Sequence, residues 1–253
     1  MKQKKNKPLL FRVIKSLLRL FYPKIEIIGK ENLPDEPVVI VGNHTQMHGP
    51  IACELYFSDN YYTWCAGQMM RLKDVPKYAY KDFWSQKPKH IRWFFKIVSY
   101  LIAPLSVLVF NNARTVAVYR DTRIIRTFRE SVAKLQSGNS IIIFPEYDKK
   151  YNNIIYDFQD KFIDIARFYY KRTGKELSFV PLYIAPKLKK MYLGTPIRFN
   201  TENSSEDERK SICEYLMTEI TEMACSLPKH TVVPYRNIPK KYYPTNVSEE
   251  VAK

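Results

Sequence analysis

Four short runs rich in β-branched residues, Val38–Val41, Thr115–Tyr119, Ser140–Phe144 and Ser178–Ile184, are spread along the chain with helical patterns between and after them. That alternation constrains the fold more than any other feature. Strands separated by helices pair through crossovers and bury their sheet between helical layers. The stretch Thr122–Gln136 places Ile125, Phe128, Val132 and Leu135 on one face and stops near Gly138, and Asp157–Lys171 stops near Gly174. Ser205 followed by Glu208 has capping-box spacing, opening a helix with Ile212, Tyr215, Leu216, Ile220 and Met223 that ends before Pro228. The expected fold is α/β: a central, mostly parallel sheet flanked by helices over residues 25–228.

The two ends read differently. Residues 1–24 hold Lys2, Lys4, Lys5, Lys7, Arg12, Lys15, Arg19 and Lys24 without an acidic residue. Arg12, Lys15 and Arg19 interrupt what a signal peptide needs as a continuous apolar region, so export is not expected. The same cations recur at helical spacing, and Leu9, Leu10, Phe11, Val13, Ile14, Leu17, Leu18, Leu20 and Phe21 fill the rest of the circumference. This pattern predicts an amphipathic helix suited to the headgroup plane of a membrane. Residues 229–253 carry Pro234, Pro239 and Pro244 with little periodicity and read as an extended or loosely attached tail. The apolar run Ile97–Phe110 is too short to span a bilayer and is interrupted by Pro104. It reads equally as a membrane-interface segment or a buried hairpin.

Charge narrows the partners. With 41 Lys and Arg against 25 Asp and Glu, the formal net charge of +16 draws the molecule toward anionic surfaces. Nucleic acid is not the expected partner, because the aromatics sit inside apolar runs rather than alternating with Lys and Arg on one exposed face. Cys53, Cys65, Cys213 and Cys225 contain no CxxC pair in a chain of 253 residues, so neither a zinc module nor a disulfide framework is indicated. The cysteine usage fits a reduced, cytosol-facing environment.

Polar groups concentrate at strand ends, where α/β sheets bind ligands. Val38-Val39-Ile40-Val41-Gly42 delivers Asn43-His44, and Pro50 can open a helix Ile51–Phe57 that leaves His44 and His48 in the preceding loop. The HxxxH spacing does not make a metal site, since position 45 is Thr, the segment reads as loop and no third ligand is evident. Two more strands run into Arg120-Asp121 and into Pro145-Glu146-Tyr147-Asp148-Lys149. If the strands are parallel neighbours, His44, Arg120, Glu146 and Lys149 converge on one edge.

From about Tyr22 to Met223 this ordered set resembles the PlsC-like lysophospholipid and glycerol-phosphate acyltransferases. Asn43-His44 matches the start of their NHxxxxD motif, Val118-Tyr119-Arg120 their arginine-ending motif, and Phe144-Pro145-Glu146 three positions of FPEG. Val180-Pro181-Leu182 and Gly194-Thr195-Pro196-Ile197 match later features. The chain departs at Gly49, where the first motif has its acid, and at Tyr147 and Lys149, where the third has glycine and arginine.

The resemblance implies direct attack of an acceptor hydroxyl on an acyl thioester at the cytoplasmic face of a membrane, without metal or prosthetic group. His44 would be the general base. Arg120 and Lys149 would hold the acceptor's phosphate, with Asn43, Pro145 and Pro181 also lining the substrate site. Glu146 would position the acceptor, and backbone amides near the loop would steady the oxyanion. The implied partners are acyl-CoA or acyl-carrier protein, a lysophospholipid such as 1-acylglycerol-3-phosphate, and an anionic membrane surface. Without an acid at 49, the orienting role passes to Asp148, Glu146 or His48, or is lost, leaving a relative that binds lysophospholipid without turnover.

Overall fold

The computed structural model describes residues 7–58, 60–85, 87–119 and 121–247. In chain order its elements are α1 (Leu9–Phe21), β1 (Glu26–Ile28), β2 (Val39–Gly42), α2 (His48–Tyr56), β3 (Tyr61–Ala66), α3 (Val75–Ala79), α4 (Arg92–Leu101) and α5 (Ala103–Asn112). There follow β4 (Thr115–Val118), α6 (Ile124–Gln136), β5 (Ser140–Ile143), β6 (Glu146–Lys150), β7 (Tyr156–Phe158), α7 (Ile165–Thr173), β8 (Ser178–Ala185), β9 (Lys190–Leu193), β10 (Ile197–Arg198) and α8 (Ser205–Cys225). They form two compact units, one of residues 24–63 with 128–253 and one of residues 1–23 with 64–127.

The larger unit holds the sheet order β1-β9-β8-β2-β5-β3. The pairs β1–β9, β8–β2, β2–β5 and β5–β3 are parallel, while β9 and β10 lie antiparallel to β8. All residues of β2, β5 and β8 are buried. A strand covered on both faces has no solvent side on which to alternate, which is why these three read as continuous apolar runs. Pro181 sits inside β8, opposite Val41 of β2, and its carbonyl accepts the Gly194 amide at 2.9 Å. The register Val41–Ile143 brings the C-terminal ends of β2 and β5 level, so residues 43–48 and 144–146 emerge side by side.

Several boundaries differ from expectation. Asp157 does not start a helix: Tyr156-Asp157-Phe158 is β7, which pairs antiparallel with β6, and α7 begins at Ile165 after a 3₁₀ turn. The cap of α8 is Ser204, whose hydroxyl accepts the Asp207 amide, rather than Ser205. Glu208 is buried and instead accepts the Asn200 amide and the Asn203 side chain. Gly174 ends α7 with a left-handed φ of 68°, as its position implied.

In the smaller unit, α4 and α5 are separate helices bent by 46°, with Pro104 in the first turn of α5, where its missing amide costs nothing. Met69, Val75, Ala79 and Ala103 form a small core, while Trp93, Phe94, Ile97, Tyr100, Leu101 and Leu105 stay exposed. Residues 97–110 are thus packed on one face and open on the other. Helix α1 buries Phe11 and exposes Leu9, Leu10, Val13, Leu17, Leu18, Leu20 and Phe21. Among the described residues no single helix is long and apolar enough to cross a membrane.

The segment after α8 lacks extended regular structure, yet within the described residues it is fastened. His230, Val232, Val233 and Asn246 are buried. The Asn246 side chain donates to Ala224 O at 2.8 Å and to Leu227 O at 3.0 Å while accepting the His230 amide at 2.8 Å.

Candidate functional site

The site is built where β2 ends. Asn43 is buried, and its side chain clamps the backbone of β8, donating to Ile184 O at 3.1 Å and accepting the Ile184 amide at 2.7 Å. Both ends of the carboxamide are spent on the neighbouring strand, so Asn43 is a backbone clamp and not the substrate contact expected of it. Asn43→Asp turns a donor into an oxygen facing the Ile184 carbonyl. The expected result is a loss of about 1–2 kcal/mol, read from urea midpoints.

Thr45 and Gln46 follow with φ of 46° and 55°, the left-handed region that a β-branched residue avoids. Two such residues in succession persist only where surrounding bonds over-determine them. Those bonds are present. Asn43 pins one side of the turn, the Thr45 carbonyl accepts the His48 amide at 3.1 Å, and Glu146 accepts the His44 amide at 2.5 Å. His48 therefore opens α2 instead of lying in the loop before it. Its pKa is lowered by partial burial and by the nearby charges of Lys187 and Lys240.

Glu146 is buried, with its other oxygen accepting the Tyr156 amide at 2.7 Å. Burial pushes its pKa up to about 7, against the two amide bonds that favour the carboxylate. The side chain that was expected to position an acceptor thus positions the backbone of the His44 turn. It also consumes the His44 amide, removing that group from any oxyanion role.

The ring of His44 stands between two aromatic edges, Phe144 at 5.4 Å and Tyr235 at 5.8 Å between centroids. Among the described residues its Nδ1, sealed from solvent, has no hydrogen-bond partner, and neither has Oγ1 of Thr45. Burial lowers the His44 pKa to about 4, and the backbone of Gln46 and His44 offsets this only in part. None of the three candidate orienting groups bonds to Nδ1. Glu146 is spent on amides, Asp148 forms a two-pronged ion pair with Arg236, with one arm at 2.6 Å, and His48 heads its helix. Nor does the site have room for an acid at 49. A Cβ on Gly49 would stand 2.6 Å from the His44 carbonyl oxygen and 3.2 Å from two ring carbons of Phe144. Gly49→Asp is expected to lower stability by about 2 kcal/mol without raising turnover, checked by thermal melts and acyl-transfer rates of the purified variant.

Lys149 is exposed on β6 and pairs with Asp157 at 2.9 Å, an oxygen it shares with the Tyr147 hydroxyl at 3.1 Å. Its charge is committed to the β6–β7 hairpin, not to the His44 turn. Pro145 is buried, and its carbonyl accepts the Gln159 amide at 3.0 Å. Pro181 is likewise a core residue of β8. Arg120 lies outside the described residues.

Sequence reasoning missed Gln46, Tyr235, Arg236 and Tyr243. Gln46 donates to Arg236 O at 3.1 Å and to the Tyr243 hydroxyl at 3.0 Å, and Tyr235 also packs on Tyr156 at 5.6 Å. The available signal was Val232-Val233 followed by Tyr235, an apolar cluster that a solvated tail does not need.

The fold and site define an α/β protein with a strand-end histidine held by a buried glutamate. The structure is similar to the crystal structure of the 1-acyl-sn-glycerophosphate (LPA) acyltransferase PlsC from Thermotoga maritima. The identity is 17% and the TM-score 0.44, over 85% of this chain and 80% of that one. No family model matches the chain, and no curated protein matches it by sequence.

Proposed function

We propose that this protein is an O-acyltransferase that moves a fatty acyl group from a thioester to the hydroxyl of a lysophospholipid such as 1-acylglycerol-3-phosphate. One observation carries the reading. Glu146 of the Phe-Pro-Glu run bonds the amide of His44 in the Asn-His pair, joining two motif elements 102 residues apart at one strand-end turn. A residue whose pKa is about 4 is neutral at pH 7 and can accept a proton, though as a weaker base than ordinary imidazole. In the step proposed, the acceptor hydroxyl gives its proton to His44 as its oxygen bonds the acyl carbon. The carbon–sulfur bond then breaks, and the thiolate takes the proton back. Arg120 is retained as the proposed phosphate ligand.

The proposal places this reaction at the cytoplasmic face of an anionic membrane, with the protein bound peripherally. The exposed apolar side chains of α1 and of α4–α5 support it, as does the +16 charge. The test is a matrix of acyl-CoA and acyl-carrier-protein donors against lysophospholipid acceptors, on anionic and zwitterionic vesicles. Product is expected with a phosphate-bearing acceptor and more of it on anionic vesicles; absence of product throughout overturns the reading. The partnerless Nδ1 of His44 favours one alternative, a relative that binds lysophospholipid without turning it over. Retained binding with no product in the same matrix selects it.

A further inference from the structure

The segment after α8 has a firm base and a lightly held tip. At the base, Nδ1–H of His230 donates to Pro228 O at 2.7 Å, which leaves Nε2 to accept the buried Tyr183 hydroxyl at 2.7 Å. Thr231 bridges Thr245, and the Val232 amide donates to Pro244 O at 2.9 Å. The two ends of residues 232–244 are therefore tied together by backbone bonds, the construction of a compact surface Ω-loop. The tip rests on the candidate site. Tyr235 covers an edge of the His44 ring, and Gln46 holds the Arg236 carbonyl and the Tyr243 hydroxyl.

What fastens the tip is of a different kind. Arg236 grips Asp148 with both arms of its guanidinium, but the two side chains are 53% and 65% exposed. An exposed pair of this sort contributes little to stability and is weakened by salt. The same tip brings Lys240 near His48, to which Lys187 also lies close. A phosphate monoester offers the guanidinium the same two-pronged geometry as a carboxylate with more negative charge, so it competes well for Arg236.

We propose that the loop 232–244 is a lid on the His44 turn, and that Arg236 exchanges Asp148 for the phosphate of the incoming acceptor. Exchange withdraws Tyr235 from the His44 ring and admits the acceptor hydroxyl to it. Arg236 is then a specificity residue selecting phosphomonoester acceptors, and Asp148 is its resting partner. This rests on the acyltransferase reading for its substrate and on the loop's own contacts for its motion.

Two variants separate exchange from a merely structural pair. Asp148→Asn and Arg236→Gln break the same bond and should act alike if the pair only braces the loop. Exchange predicts opposite effects. Asp148→Asn lowers KM for 1-acylglycerol-3-phosphate several-fold, whereas Arg236→Gln raises it about tenfold. Equal effects from the two variants, or a rise in donor KM alone, overturn the proposal. The second measurement needs no turnover: amide hydrogen exchange of residues 233–243 with sn-glycerol 3-phosphate, inorganic phosphate or glycerol added. Faster exchange with both phosphates in wild type, lost in Arg236→Gln, supports the lid. Response to sn-glycerol 3-phosphate alone also supports it and ties the trigger to the headgroup, while indifference to both overturns it. Phosphate-dependent exchange in a protein that makes no product sinks the acyltransferase reading and keeps the lid.

Discussion

Glu146→Ala is expected to cost about 2–4 kcal/mol and to change the shape of the pH–stability curve as well as its height. The magnitude follows from the two half-buried amides, of His44 and Tyr156, that lose their buried acceptor. Each unsatisfied donor costs about 1–3 kcal/mol, and relief from burying a carboxyl group offsets part of the sum. Glu146→Gln keeps one acceptor oxygen and should fall roughly midway.

The change of shape comes from two titrations that oppose one another. In the folded protein Glu146 holds its proton up to about pH 7, while an unfolded glutamate releases it near 4.5, so its contribution is lost as pH rises through that window. His44 binds a proton in the folded protein only near pH 4, while the unfolded chain binds one near 6.5, so its contribution is lost as pH falls from 6.5 to 4. Between pH 4.5 and 6.5 these two slopes cancel, leaving wild type with the smaller acid-side loss from His48, whose pKa is also lowered. Without Glu146, stability should climb by roughly 3 kcal/mol from pH 4 to 6.5. Urea titrations of both proteins at half-unit pH steps check this; parallel curves would show that the two groups do not titrate as described.

The strands β2, β5 and β8 were legible because a doubly buried strand writes itself as an unbroken apolar run. Polar groups following such runs pointed to His44 and Glu146, and both stand where the sequence put them. Their roles were not legible. The partners of Glu146 are backbone amides brought to it by the β6–β7 hairpin, and β7 is three residues long, too short to show a period. The hairpin also turns Lys149 toward Asp157, a pairing that no spacing rule reveals. The motif resemblance places Asn43 among the substrate-lining residues, beside the histidine at the end of a buried strand. Here it faces the next strand, since the unpaired Ile184 amide and carbonyl need partners more than a ligand does. The C-terminal loop was misjudged from its prolines. Its attachment depends on His230 and Asn246, isolated polar residues whose bonds form only against the end of α8 and the core hydroxyl of Tyr183.

The second large effect concerns chemistry. His44→Ala is expected to lower the acyl-transfer rate about 10²- to 10⁴-fold, the range typical of a positioned general base. Its fold should survive, because the ring's aromatic neighbours, Phe144 and Tyr235, can remain packed around a smaller side chain. Asn43 and Glu146 fasten the turn through groups the substitution does not touch. The decisive measurement is acyl transfer from a labelled thioester to 1-acylglycerol-3-phosphate by wild type and His44→Ala side by side, at equal folded concentration. Product formed by wild type and lost at least a hundredfold in the variant is the result the account predicts. Equal rates in the two proteins would contradict it.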